Sequence, residues 1–208
     1  MGAQLARRLG YRFIDTGMMY RAFTWLALER KIDPQDEAAL TALAQDAAVT
    51  LESGPTDAPE ASRVRVDGVD VTDRLRSTEV GMAVSPVSRV PAVRAAMVAL
   101  QRELAAQGGI VMAGRDIGTV VLHDAPLKIY LNASPEERAR RRYEELRNSN
   151  REATLQQVQD ELAHRDAIDS ERDISPLRPA EDAVIIDTDG LALEQVVERI
   201  LELAPCQS

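Results

Sequence analysis

Apolar residues fall along this chain in two kinds of run. Tyr11 to Ile14, Ile110 to Ala113, Leu127 to Leu131 and Ala183 to Asp187 are short and nearly unbroken, which reads as strands buried on both faces. Between them the apolar positions take helical spacing. Residues 2 to 9 read as a helix ended by Gly10, and a second helix begins at Met18, Met19, Ala22 and Phe23 and runs to about Arg30. Pro34, Gln35 and Asp36 start a third that reaches about Ala48. Residues 78 to 107 predict two helices split near Pro91, closed by Gly108 and Gly109. Ser134, Pro135 and Glu137 form a capping box with proline at the first helical position, and Thr154 to Gln157 forms another. The helix from Thr154 is expected to reach Arg165 and Asp166, with Asp169 and Arg172 in the loop beyond, and Leu191 to Leu203 closes the chain. Strands alternating with helices predict an α/β fold: a parallel sheet with helices on both faces, in one domain.

Residues 49 to 74 break that rhythm. Val49, Thr50 and Leu51 alternate, Ser53 to Pro59 is rich in turn residues, and Val64 to Val71 is two alternating runs around Asp67 and Gly68. An Asp-Gly pair between such runs predicts a β-hairpin. The sequence leaves open whether this small antiparallel insertion is a surface decoration or covers a substrate.

Charge and composition narrow the function. The formal net charge of -9 argues against a broad nucleic-acid footprint and leaves small anionic substrates open. Lys31 and Lys128 are the only lysines, so an arginine bias pervades the chain and positions matter more than numbers. The single cysteine, Cys206, supports neither a disulfide framework nor a metal cluster. There is no run of eighteen apolar residues and no signal-peptide pattern at the start, so a cytoplasmic protein without membrane contact is expected.

Polar residues gather where the strands end. Asp15, Thr16 and Gly17 follow the first strand, and Gly114 to Thr119 follow the second. In open α/β sheets ligands sit at such strand ends, where helix N-termini suit anions. Arg21 is expected in the first turn or so of its helix, where the dipole disfavours a cation unless an anion is bound nearby. An ordinary strand-to-helix turn with a solvated arginine accounts for that segment alone equally well. The arginine-rich run Arg138, Arg140, Arg141 and Arg142 is open to two readings, a solvated helix face or a phosphate clamp.

Asp15-Thr16-Gly17-Met18-Met19-Tyr20-Arg21, followed by Gly114-Arg115-Asp116-Ile117-Gly118-Thr119, resembles the bacterial cytidylate kinases, nucleoside monophosphate kinases of the P-loop class. The resemblance covers practically the whole chain and includes Asp67 to Thr72, Pro91 to Arg94 and Arg165 to Arg172. Adenylate kinases share the architecture but have a helical monophosphate-binding region, whereas the insertion here reads as strands. The resemblance implies transfer of the γ-phosphoryl group of ATP, with Mg2+, to CMP or dCMP, by a monomer. It implies that residues 49 to 108 form the monophosphate-binding region and residues 138 to 151 a lid. Arg21 and Arg115 would hold the acceptor phosphate, with Asp15, Thr16, Gly17 and Asp116 in the same substrate site. Ser85 and Arg94 would read cytosine, Arg165 and Asp169 would contact the sugar, and Arg172 would support the base. Arg115, Arg138 and Arg142 would stabilise charge in the transition state.

The chain departs from the family pattern in two places. Its 208 residues contain no Gly-x-x-x-x-Gly-Lys-Ser/Thr loop, which in P-loop kinases cradles the ATP phosphates, and Met1 aligns just inside the helix that follows that loop. Ala113 stands where many members carry an acidic residue. The expectation is therefore a cytidylate kinase represented without its donor loop and its central first strand. A non-catalytic CMP-binding protein or a truncated gene product is the alternative. By the resemblance the absent strand belongs between those at Ile110 and Leu127, so the sheet is expected to be split and the isolated chain to be insoluble or molten.

Overall fold

Gly10 sets the entry to the first strand. Helix α1 (Gly2–Leu9) stops there in a left-handed conformation, φ 66°, with the Gly10 N–H directed at the carbonyls of Ala6 and Arg7. The next N–H, that of Tyr11, donates to Ala6 O at 2.9 Å, so Tyr11 belongs to the cap and strand β1 (Arg12–Asp15) starts one residue later than the apolar run predicts. Strand β1 pairs in parallel with β5 (Ile110–Ala113), Asp15 opposite Ala113. Helix α2 (Thr16–Glu29) follows without a loop, because the Asp15 carboxylate caps it by accepting from Gly17 N at 3.0 Å. Arg21 is thus the sixth residue of α2, in its second turn rather than its first.

In this computed structural model, which describes residues 1–148, 152–171 and 177–204, the chain divides into two compact units, Met1–Ile117 and Gly118–Ser208. The first holds the large apolar cluster. Helix α3 (Glu37–Asp46) begins later than predicted, because Pro34 and Gln35 form a turn and the Asp36 side chain caps the helix by accepting from Ala39 N at 2.9 Å. Strands β2 (Val49–Glu52), β3 (Arg63–Val66) and β4 (Val69–Asp70) make a three-stranded antiparallel sheet. Asp67 and Gly68 both have positive φ, 50° and 81°, as the tight two-residue hairpin requires. Val49, Leu51, Val64 and Val66 alternate inward and join Phe23, Leu26 and Leu40 in the core. The insertion is therefore not a surface decoration: its inner face is core.

Helices α4 (Thr78–Arg89) and α5 (Pro91–Ala105) meet at a bend of 97° at Val90, where Pro91 starts the second. Among the described residues no single helix is long and apolar enough to cross a membrane. Arg12 closes the end of α5 by donating to Leu104 O and Gly108 O, each at 3.1 Å, and to Gln107 Oε1 at 2.8 Å. Gly108 and Gly109, φ 70° and 53°, turn the chain into β5. A single π-helical turn spans Ile117–Val121.

In the second unit β6 (Ile129–Asn132) and β7 (Val184–Asp187) form a second parallel pair, accompanied by α6 (Pro135–Asn148), α7 (Leu155–Glu171) and α8 (Leu193–Leu203). The four parallel strands are thus found as two pairs in separate sheets. Lys128 ties the start of β6 to the approach to β7: its ammonium donates to both Asp182 carboxylate oxygens, at 2.8 and 2.7 Å, and to His123 O. That ammonium holds the Asp182 carboxyl below its ordinary range.

Of the two capping boxes, only that at Thr154 is reciprocal. Thr154 N donates to Gln157 Oε1 at 2.8 Å and Gln157 N to Thr154 Oγ1 at 3.2 Å. At α6 the Ser134 hydroxyl accepts from Glu137 N at 3.2 Å, but Ser134 N donates to Asp189 Oδ1 instead of to Glu137. Two guanidiniums compete for the Glu137 carboxylate, Arg140 at 2.8 Å and Arg141 at 2.7 Å. Charge-assisted pairs outweigh one neutral N–H donor.

Two expectations follow from this architecture. All the members of the main buried cluster lie in the first unit, while Leu131, Val184 and Ile185 of the second are 36, 39 and 60 % exposed. A two-stranded pair so exposed is marginal by itself. Hydrogen exchange at neutral pH is expected to show amides of β6 and β7 exchanging at least about tenfold faster than those of β1 and β5; equal protection would contradict this. The second concerns pH. Arg140, opposed by desolvation and assisted by Arg141, lowers the Glu137 carboxyl from 4.5 to about 2. A depressed carboxylate stabilises the fold above its unfolded value, and that contribution is lost as pH falls from about 4.5 through about 2. Carboxyl-detected NMR should place the Glu137 midpoint near 2 and show it rising on Arg140→Gln, whereas an ordinary midpoint in the native protein would refute the clamp.

Candidate functional site

Where β1 and β5 end, the polar residues singled out in the sequence are committed to one another. Asp15 caps α2 through Gly17 N, and the buried Thr16 hydroxyl donates to Ala113 O at 3.0 Å. Gly114 lies against that hydroxyl so closely that a Cβ there would stand 2.4 Å from Thr16 Oγ1 and 2.7 Å from the Ile117 side chain. Glycine is required at this position by close approach.

The centre of the site is Arg94, which α5 carries into the interior. Its side chain is only 4 % exposed and that of its partner Asp116 only 6 %. Nη2 donates to Asp116 Oδ2, Nη1 donates to Ser88 O at 3.3 Å, and the guanidinium lies over the Tyr20 ring, 5.6 Å from its centroid. Nε is buried without a hydrogen-bond partner among the described residues. A buried ion pair of this kind resists separation, because either partner alone would be a desolvated charge. Ser85 is also buried, and its carbonyl accepts from the Ser88 hydroxyl at 3.0 Å, which links it to the same turn of α4.

Arg21 and Arg115 adjoin this cluster along the chain, one following Tyr20 and the other preceding Asp116. Arg21 Nη1 donates to Leu75 O at 3.3 Å and lies 3.9 Å from where a Cβ on Gly81 would be. Arg115 is half-buried. Sequence reasoning missed Tyr20, Ser88 and Leu75. Tyr20 stands inside the quoted motif, four residues from the buried Thr16 and so on the same helix face. Ser88 and Leu75 act through carbonyls, which no side-chain pattern reveals.

In the second unit the arginines of α6 divide by partner. Arg138 pairs with Asp166 of α7, and its Nε is buried without a hydrogen-bond partner among the described residues. Arg141 donates to Glu137 and to both the hydroxyl, at 3.0 Å, and the carbonyl of Thr188. Arg140 bridges Glu137 and Glu144, and Arg142 pairs with Glu145 at 2.8 Å. Helix α7 extends to Glu171, so Asp169, expected in a loop, is helical like Arg165. The helical spacing simply continues past Asp166. Arg172 lies outside the described residues. Among the described residues no group of three or more His, Cys, Asp or Glu could hold a metal ion.

A buried, fixed guanidinium whose partners Tyr20 and Asp116 each have a further arginine beside them in the chain suits a small anionic ligand with a polar planar group. Comparison with known proteins agrees with the motif. The cytidylate kinase family profile matches residues 1–206. The chain is 51 % identical over 199 residues to a cytidylate kinase of Geobacillus thermodenitrificans (strain NG80-2), covering 96 % of this chain and 87 % of that protein. Against a cytidylate kinase of Desulfitobacterium hafniense (strain Y51) the identity is 48 % over 199 residues, 96 % of this chain and 84 % of the other. A bifunctional pantoate ligase/cytidylate kinase of a Synechococcus (strain JA-3-3Ab) matches at 47 % over 96 % of this chain but 37 % of its own length. The family profile over nearly the whole length, together with these identities, places the chain in the cytidylate kinase family.

Proposed function

We propose that the first unit is the acceptor half of this kinase, binding CMP or dCMP around Arg94. The reaction is attack of an acceptor phosphate oxygen on the γ-phosphorus of ATP. A new P–O bond forms, the bond to the β-phosphate oxygen breaks, and ADP leaves beside CDP or dCDP. Such transfer depends on positioning and charge stabilisation more than on covalent chemistry by the protein. Arg21 and Arg115 supply donors for the acceptor phosphate, and Arg94 with Ser85 addresses the cytosine. Asp116 holds Arg94 in place. The observation that carries this reading is the buried Arg94 fixed between Tyr20, Ser88 O and Asp116.

On the donor side, Arg138 and Arg142 are the α6 arginines whose carboxylate partners, Asp166 and Glu145, could be exchanged for ATP phosphates as a lid closes. Mg2+ belongs here to the ATP substrate, since such ions keep mostly water and phosphate ligands, and the described residues offer no converging set of their own. The absent Gly-x-x-x-x-Gly-Lys-Ser/Thr run favours a second reading, of CMP binding without turnover by these 208 residues. A single cysteine and an ATP-dependent reaction both suit the cytoplasm.

Calorimetry separates these roles from stability. The 208-residue chain is expected to bind CMP, and Arg94→Ala to weaken binding by about 1.5 to 3 kcal/mol, the range for a hydrogen bond involving a charged group; unchanged affinity would remove Arg94 from the site. Asp116→Ala should cost about 3 to 5 kcal/mol of folding stability by leaving Arg94 unpaired. The double replacement Arg94→Met with Asp116→Leu should regain most of that stability while still failing to bind CMP. In a coupled assay the 208-residue chain is expected to fall far below the roughly 1 to 100 turnovers per second of a kinase; turnover in that range would overturn the second reading.

A further inference from the structure

Thr16 stands in the motif as a candidate ligand, yet the residue is buried, 3 % exposed, and its hydroxyl is committed to Ala113 O. We propose that Thr16 is a positioning residue: with Gly114 it locks the start of α2 to the end of β5 and so fixes the spacing of the two phosphate-binding arginines, Arg21 and Arg115. The proposal rests on the acceptor reading above and adds a role for a residue that touches no ligand.

The argument is one of bracketing. Asp15 opposite Ala113 is the last paired position of the parallel ladder. The Thr16 hydroxyl carries the cross-strand hydrogen bonding one step further, after β1 has already turned into a helix. Four residues along the same face of α2, Tyr20 lies under Arg94, which is paired with Asp116. Helix α2 and the segment 113–116 are therefore tied twice, Thr16 to Ala113 at one end and Tyr20 through Arg94 to Asp116 at the other. Arg115 lies between the two ties on its segment, and Arg21 follows directly on the second tie of α2.

Gly114 makes the first tie tight. A Cβ at 2.4 Å from Thr16 Oγ1 and 2.9 Å from Ile117 Cγ1 would have to push one of them away. Neither helix capping nor packing accounts for the hydroxyl. Asp15 already caps α2, and valine would fill the same space with no donor. The lock should therefore govern recognition of the phosphate and leave the nucleoside part of the ligand largely alone.

CMP and cytidine are the probes that separate the two. Calorimetry is expected to show CMP affinity reduced about tenfold by Thr16→Val, the size of one buried hydrogen bond, with cytidine affinity changed by less than about twofold. Thr16→Ser, which keeps the donor, should restore CMP binding, and Gly114→Ala should reproduce the loss and stands in if Thr16→Val does not fold. Equal losses for CMP and cytidine, or no loss for either, would overturn the proposal. If the unaltered chain binds no CMP, the acceptor reading fails, and hydrogen exchange of the ligand-free protein decides the lock separately. Faster exchange at residues 114–116 in Thr16→Val, with the hairpin at 63–70 unchanged, supports it, and unchanged exchange at 114–116 refutes it.

Discussion

The first unit depends on the ion pair between Arg94 and Asp116, because neither charge has water to fall back on. The pair fixes more than two residues. Tyr20 of α2 lies against the guanidinium, the Ser88 carbonyl of α4 accepts from it, α5 carries it, and the segment after β5 supplies the carboxylate. Four parts of the unit must keep their places for the pair to survive. A charge arrangement that costs desolvation is an inefficient source of stability, and under the proposed acceptor role its use is to hold donors for a nucleotide.

The second unit uses arginine differently. Arg140 and Arg141 neutralise Glu137 within one helix, and Arg141 also ties α6 to Thr188 beyond β7. Arg138 and Arg142 have one carboxylate partner each in the ion pairs described, at partly exposed positions where ion pairs are weak. Weak pairs exchange partners at little cost, which suits the proposed role of meeting phosphate only when a donor arrives. Permanent charge fixation in the first unit and exchangeable pairing in the second are two uses of one residue type.

Much of the fold was legible in the sequence. Its four short apolar runs are the four parallel strands, Gly10 and the reciprocal box at Thr154 mark helix ends, and Asp67-Gly68 turns a hairpin, because each depends on neighbours a few residues away. Where several nearby partners competed for one group, reading residue types alone failed. Glu137 turned from Ser134 to two arginines, and Tyr11 joined a cap instead of a strand.

The motif residues Asp15 to Arg21 and Gly114 to Thr119 carried the resemblance to the family in the sequence itself, as the family profile over residues 1–206 bears out. Only the tertiary structure decided how they divide the work: Arg94 buried against Tyr20 and Asp116, Thr16 committed to Ala113, and the hairpin insertion part of the core. The physical reason is that burial, a carbonyl acceptor such as that of Ser88, and the close approach at Gly114 are properties of chain segments brought together from far apart. No local pattern of side chains encodes them.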